Sequence, residues 1–158
     1  MEPEFWQTPG DMTIGVFCHE LGHMLFDLPD LYDTDDDSEG LGNWSLMAGG
    51  SWNGPNGLGG SPAFPDAYSH ISMGYVTPSV VETNSANISI PAKESSATVY
   101  KLWKYAQGGS EYFLIENRQQ TSYDSYLPGN GLLIYHVETA TGNQNNQWYP
   151  GHTSYGHY

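Results

Sequence analysis

The stretch from residue 19 to residue 30, His-Glu-Leu-Gly-His-Met-Leu-Phe-Asp-Leu-Pro-Asp, constrains this chain more than any other. His19 and His23 are four residues apart, so on an α-helix their side chains lie above one another on one face. Two imidazoles placed in this way can bind one zinc ion, and Glu20 beside them can take a proton from a water molecule that the metal activates. The spacing therefore predicts a zinc site with Glu20 as its general base. The alternative is a helix that carries two histidines without a metal.

The residues around the histidines predict the helix that carries them, over about residues 12–26. Asp11 or Thr13 can cap its N-terminus. Its apolar residues follow the spacing of a single face, which we expect to pack on a core while the histidines face a cleft. The residues of this apolar stripe are Ile14, Phe17, Cys18, Leu21 and Leu25.

The end of this helix determines where a third zinc ligand can come from. The helix is expected to end after Phe26, because Asp27 tolerates the left-handed conformation and Pro29 cannot continue a helix. Asp30 then returns towards the histidines, and its carboxylate is the candidate third ligand, with the fourth position open for water. The alternative is an ordinary turn aspartate.

The charge of the chain is lopsided, with 18 acidic residues against four basic ones, all of which follow position 92. An acidic first half repels nucleic acid and anionic membranes, because both are bound through basic patches. No apolar run is long enough to span a bilayer, and the acidic, polar first ten residues do not form a signal peptide. A single cysteine rules out an intrachain disulfide framework.

Alternating carboxylates follow the first helix, and their spacing suits calcium. The candidate ligands are Asp33, Asp35, Asp37 and Glu39. The stretch is not an EF-hand, because Ser38 stands at the sixth position, where an EF-hand has glycine. A solvated acidic loop is the equal alternative.

The rest of the chain predicts an α+β fold in two segments, divided at about residue 78. Within residues 1–78, the glycine-rich stretch 40–60 predicts an irregular segment, and residues 62–75 predict a second helix. Residues 79–158 are rich in β-branched and aromatic residues and predict an antiparallel β-module. Its candidate strands are Asn87–Ile90, Thr98–Tyr105, Glu111–Arg118 and Gly131–Glu138.

Three segments together resemble the immune inhibitor A family of secreted bacterial metallopeptidases. They are His19-Glu-Leu-Gly-His23, Leu28-Pro-Asp-Leu-Tyr-Asp33 and Ser45-Leu-Met-Ala-Gly-Gly-Ser-Trp52. That family is similar to the metzincins, in which a methionine-bearing turn lies beneath the zinc site. By that resemblance Met47 is the turn methionine, a packing element and not a ligand. Two later segments, 111–118 and 131–137, are similar to segments that follow the catalytic domain in this family.

The chain departs from the metzincin pattern in three ways. Phe26 stands where metzincins have a glycine, and Asp30 comes one residue late, which a helix one residue longer would correct. Many metzincins have a tyrosine two residues after the turn methionine that supports the transition state, and Gly49 stands at that position here. Tyr68 and Tyr75 are the candidate substitutes for this tyrosine. The twisted sheet that begins a metzincin catalytic domain has no counterpart here, so the chain is expected to be a fragment.

The sequence thus predicts a zinc-dependent endopeptidase that acts on extended peptides, and the family resemblance implies that it is secreted. A non-catalytic binding or adhesion module stabilised by zinc or calcium is the alternative. Glu20 favours the enzyme, because a structural zinc site needs no general base beside its histidines.

Overall fold

The computed structural model describes residues 13–33, 40–103 and 108–140. These residues form two helices and a four-stranded sheet, an α+β architecture as the sequence predicts. The elements are α1 (Ile14–Phe26), α2 (Ala67–Ser72), β1 (Ser79–Val81), β2 (Tyr100–Trp103), β3 (Glu111–Arg118) and β4 (Gly131–Glu138). Neither helix in these described ranges is long and apolar enough to cross a membrane.

Helix α1 ends where the sequence predicts. Asp27 follows it in the left-handed conformation, with φ 53° and ψ 36°, and its backbone N–H donates to the His23 carbonyl at 3.0 Å. The predicted N-terminal cap is wrong for Thr13, because its hydroxyl donates to the Leu58 carbonyl and makes no capping hydrogen bond. Asp11, the other candidate cap, lies outside the described residues.

The prediction that the apolar stripe of α1 packs on the core is wrong. Four of its five residues are 42% to 61% exposed, namely Ile14, Phe17, Leu21 and Leu25. The buried residues are instead Gly15, His19 and Gly22. A methyl group at Gly15 would lie 1.8 Å from the Ser51 carbonyl oxygen, so only glycine allows this close approach of helix and loop. Periodicity correctly identifies an apolar face, but backbone proximity decides which face is covered by the described residues.

The second helix is shorter than predicted. Asp66 caps it by accepting a hydrogen bond from the Ser69 N–H at 3.0 Å, and Gly74 follows it with φ 76°. Pro65 comes directly before the cap, and the residue before a proline avoids helical backbone, so the helix is not expected to extend back to Phe64. Residues 40–60 are irregular as predicted and contain three short 3₁₀ turns.

The sheet has the order β1-β2-β3-β4 and is mixed, so the prediction of an antiparallel module is wrong for one pair. Strands β2, β3 and β4 are antiparallel neighbours, whereas β1 pairs with β2 in parallel. Strands β3 and β4 match the predicted bounds. Strand β2 begins two residues later than predicted, and its predicted end at Tyr105 lies outside the described residues. The segment Asn87–Ile90 is not a strand, because Asn87 is left-handed and the Ile90 carbonyl accepts from the side chain of Asn117 at 2.8 Å.

Two hydrophobic clusters hold these elements together. The larger lies between α2 and the sheet and includes Ala67, Val99 and Leu114. The smaller lies beneath α1 and consists of Leu28, Leu46 and Met47, with Cys18 half-buried against it. The smaller cluster therefore supports the helix that carries the two histidines.

Candidate metal centre

Three of the predicted site residues meet at one point. The Asp30 Oδ1 atom lies 3.1 Å from His19 Nε2 and 3.0 Å from His23 Nε2. The two Nε2 atoms are themselves 3.0 Å apart. The helical spacing of the histidines and the left-handed turn at Asp27 produce this convergence.

The remaining nitrogen of each imidazole contacts a backbone carbonyl. His19 Nδ1 lies 2.9 Å from the Leu46 oxygen, and His23 Nδ1 lies 2.6 Å from the Leu28 oxygen. A carbonyl oxygen can only accept, so both Nδ1 atoms carry hydrogen. In the neutral tautomer each Nε2 therefore presents a lone pair to the centre.

This donor set fits a cation. The two Nε2 lone pairs and the Asp30 carboxylate oxygen lie within 3.1 Å of one another, and no hydrogen atom lies between them to form a hydrogen bond. Protonating both imidazoles would place two N–H groups against each other at 3.0 Å. Zinc bound tetrahedrally at about 2.0–2.1 Å separates its ligand atoms by roughly 3.3 Å, close to what is observed. Among the described residues, these three alone form a cluster suited to a metal ion.

The carbonyl that orients His19 comes from residues 44–47, which we call the support loop. Met47 in this loop is fully buried beneath α1. A methyl group at Gly22 would lie 2.7 Å from Met47 Sδ, so the glycine leaves space for the methionine side chain. Met47 therefore packs beneath the helix that carries the two histidines.

The other residues considered from the sequence lie in different settings. Glu20 is exposed on α1, next to His19 in the chain. Tyr75 is 64% exposed and its ring packs on Phe26, whereas Tyr68 packs on the larger cluster.

The sequence did not predict a role for Tyr32. Its ring stacks on that of His19, with centroids 6.4 Å apart, and its side chain is 40% exposed. Its position two residues after Asp30 was the signal that could have pointed to it.

The predicted calcium ligands are only partly within the described residues. Asp33 is buried. Asp35, Asp37 and Glu39 lie outside the described residues.

A buried group of charged residues lies between the sheet and the support loop, and the sequence did not predict it. Burial opposes ionisation of Glu116, but the charges of Lys93 and Arg118 outweigh it and lower the pKa of Glu116. Burial and the charge of Lys93 lower the pKa of His70 from 6.5 to about 4. Burial and the Glu116 carboxylate raise the pKa of Tyr135. Glu116 is therefore a buried carboxylate that stays ionised at neutral pH.

Comparison with known proteins gives a family match for nearly the first half of the chain. Residues 3–77 match the family described as immune inhibitor A peptidase M6, catalytic domain. The chain is immune inhibitor A-like. The matched segment contains both histidines, Asp30 and Met47, and it ends just before β1.

Two relatives of this immune inhibitor A-like chain carry names that agree. Immune inhibitor A of Bacillus thuringiensis subsp. alesti is 50% identical over 48 residues, which are 29% of this chain and 7% of the relative. Pre-pro-metalloprotease PrtV of Vibrio cholerae serotype O1 (strain M66-2) is 35% identical over 100 residues, 61% of this chain and 10% of the relative. The chain thus matches a tenth or less of the length of these relatives. No solved structure matches it.

Proposed function

We propose that this chain contributes the metal site of a zinc-dependent endopeptidase. The observation that carries the proposal is the convergence of His19 Nε2, His23 Nε2 and Asp30 Oδ1 within 3.1 Å. Three protein ligands with a fourth position left open are typical of catalytic zinc, whereas structural zinc sites have four protein ligands.

The residues of the metal centre have separate roles in the proposed peptide hydrolysis. His19, His23 and Asp30 hold the metal, and the Leu46 and Leu28 carbonyls keep the two imidazoles in the tautomer that binds it. Zinc, when bound, polarises the scissile carbonyl and lowers the pKa of a water molecule.

Glu20 acts on the protons of the reaction. Its carboxylate takes a proton from the attacking water and delivers it to the leaving amine, so it begins and ends each cycle ionised. Its exposed position on α1 leaves it accessible to water and to a substrate.

The family and the names of the relatives support a protein or peptide as the substrate. On the same basis we propose that the protein is secreted and that residues 1–78 and 79–158 form a catalytic subdomain and a β-module. We also propose that calcium binds to the carboxylates of Asp33, Asp35, Asp37 and Glu39.

Metal binding and hydrolysis can be tested separately. We expect His19→Ala, His23→Ala and Asp30→Ala to lose stoichiometric zinc, and Glu20→Gln to keep zinc while losing hydrolysis of an unstructured protein substrate. The matched control is His136→Ala, because His136 is exposed and also contacts a carboxylate, Glu111, at 3.1 Å. This control should keep its zinc.

Two results would contradict the proposal in different ways. Full zinc binding by His19→Ala would refute the assignment of the metal site. Hydrolysis at the wild-type rate by Glu20→Gln would refute the role of the base. Stoichiometric zinc in a chain that hydrolyses no protein, even within its whole polypeptide, would favour a non-catalytic module.

A further inference from the structure

We infer that the buried ion network of the sheet, centred on Arg118, positions the metal ligand His19 by holding the support loop. The inference rests on the proposed function, because it treats His19 as a zinc ligand. It assigns a role at the metal site to residues of β3 that are far from that site in the sequence.

Every residue of the support loop is held by a separate contact. The Trp44 carbonyl accepts from Arg118 Nη1 at 3.3 Å, and the Met47 carbonyl accepts from the Leu31 N–H at 2.7 Å. The Leu46 carbonyl contacts His19 Nδ1. The loop is therefore fastened on both sides of the one carbonyl that orients the imidazole.

Ser45 provides the fastening next to Leu46. Its hydroxyl donates to Asp66 Oδ2 at 2.6 Å and accepts from the Met47 N–H at 3.0 Å. Both Ser45 and Asp66 are fully buried. Asp66 also caps α2, so this contact ties the support loop to a helix that packs on the sheet.

Arg118 uses its complete set of donors at this junction. Its side chain is fully buried, and Nε and Nη2 donate to the two oxygens of Asp124, each at 2.7 Å. Nη1 donates to Glu116 at 3.0 Å and to the Trp44 carbonyl, and Nη2 also donates to the Phe64 carbonyl at 3.3 Å. A guanidinium has five N–H donors, and five acceptors surround this one.

Two of those five acceptors are backbone carbonyls, that of Trp44 in the support loop and that of Phe64. The other three are carboxylate oxygens of β3 and of the turn that follows it. Glu116 is itself held by Lys93 and Tyr135, each at 2.7 Å. The Arg118 guanidinium therefore links the support loop to the sheet, and the carboxylates that hold it are themselves paired or hydrogen-bonded.

A buried ion network of this kind is weak evidence for a role in stability. Apolar side chains of similar volume often stabilise a fold as well as a buried ion pair does, whereas rigid bidentate geometry fixes the relative position of the groups it joins. Groups that hydrogen-bond to a metal-bound histidine typically change metal affinity 10- to 100-fold when they are lost. The loop that Arg118 positions here includes such a group, the Leu46 carbonyl.

The test uses the full chain. It compares variants that remove contacts to the support loop with a variant of an equally buried residue that makes no such contact. Arg118→Met removes the donors, and Ser45→Ala removes a single hydroxyl. Leu114→Ala is the matched control, because Leu114 is fully buried on the same strand as Arg118 but belongs to the hydrophobic cluster. Zinc affinity is measured by competition with a chromophoric chelator, and ligand geometry by the visible absorption of the cobalt-substituted protein.

We expect Arg118→Met and Ser45→Ala to weaken zinc binding about 10-fold and to change the cobalt spectrum. Leu114→Ala should lower the melting temperature but leave both metal readouts unchanged in the folded protein. Wild-type affinity and spectrum in both network variants would overturn the inference, as would an equal loss of affinity in Leu114→Ala. If Arg118→Met does not fold, Arg118→Lys takes its place with the same expected and contradicting results, because lysine keeps the charge but loses the forked donors.

The same experiment separates the inference from the proposed function. If the wild-type chain binds no zinc through His19, the proposed function fails and the inference fails with it. If the wild type binds zinc, His19→Ala does not, and the network variants bind as the wild type does, the inference alone fails.

Discussion

Met47 and Gly22 are expected to be energetically coupled, because the methionine occupies space that only a glycine on α1 leaves free. A methyl group at Gly22 would lie 2.7 Å from Met47 Sδ and 3.2 Å from Met47 Cε. Carbon and sulfur atoms pack at roughly 3.5–4.0 Å, so the methionine would have to retreat by about 1 Å. It is fully buried against Leu28 and Leu46, which leave it little room.

The magnitudes follow from these contacts. Gly22→Ala gains about 1 kcal/mol in helix propensity but overpacks the site at a cost of about 1–3 kcal/mol, for a net loss of about 1 kcal/mol. Met47→Ala leaves a cavity and should lower the free energy of unfolding by about 2–5 kcal/mol. In the double variant the new methyl group enters that cavity, so the combined loss should fall short of the sum by about 1 kcal/mol or more.

Equilibrium urea unfolding of the wild type, both single variants and the double variant measures this coupling. Losses that add within about 0.5 kcal/mol would show that Met47 does not press on α1 at Gly22, and the predicted coupling would then be wrong. Met47→Leu is the control, because it conserves volume and should cost less than about 1.5 kcal/mol.

Three further predictions use the same protein. Gly15→Ala should lower the free energy of unfolding by more than about 3 kcal/mol, because its methyl group meets the rigid Ser51 carbonyl at 1.8 Å; an unchanged urea midpoint would contradict this. Because the pKa of His70 falls from 6.5 to about 4 on folding, the unfolded chain binds more protons between these values, and stability should decrease by about 3 kcal/mol as the pH falls across that interval. His70→Gln should reduce that slope, measured by urea unfolding at each pH, and an identical slope would refute the assignment. Millimolar calcium should raise the melting temperature through the carboxylates of residues 33–39, and no change relative to chelator would count against that site.

The local features of the metal centre were predictable from the sequence. The end of α1 at Asp27 and the return of Asp30 depend on one turn and a few adjacent residues, so local backbone preferences suffice. Strands β3 and β4 were predictable for a similar reason, since each is a long run of β-forming residues with glycine at or near its start.

The features that depend on distant contacts were not predictable. The burial of the glycine face of α1 reflects the approach of a loop that begins many residues later in the chain. The Leu46 carbonyl belongs to the backbone, so its contact with His19 cannot be predicted from the type of residue at position 46. Arg118 resembles an ordinary polar residue at the end of a strand until its five acceptors are in place. Strand β1 has only three residues, too short for a periodic pattern to appear.

The contacts at the metal centre and at the support loop differ greatly in the length of chain between the two residues that each contact joins. The contact with Asp30 closes 11 residues and the contact with the Leu46 carbonyl closes 27, whereas the bond from Arg118 to Trp44 closes 74. By the logarithmic cost of loop closure, the last exceeds the first by about 1.7 kcal/mol of chain entropy. The metal-binding residues can therefore come together at a lower cost in chain entropy than the contact between the sheet and the support loop.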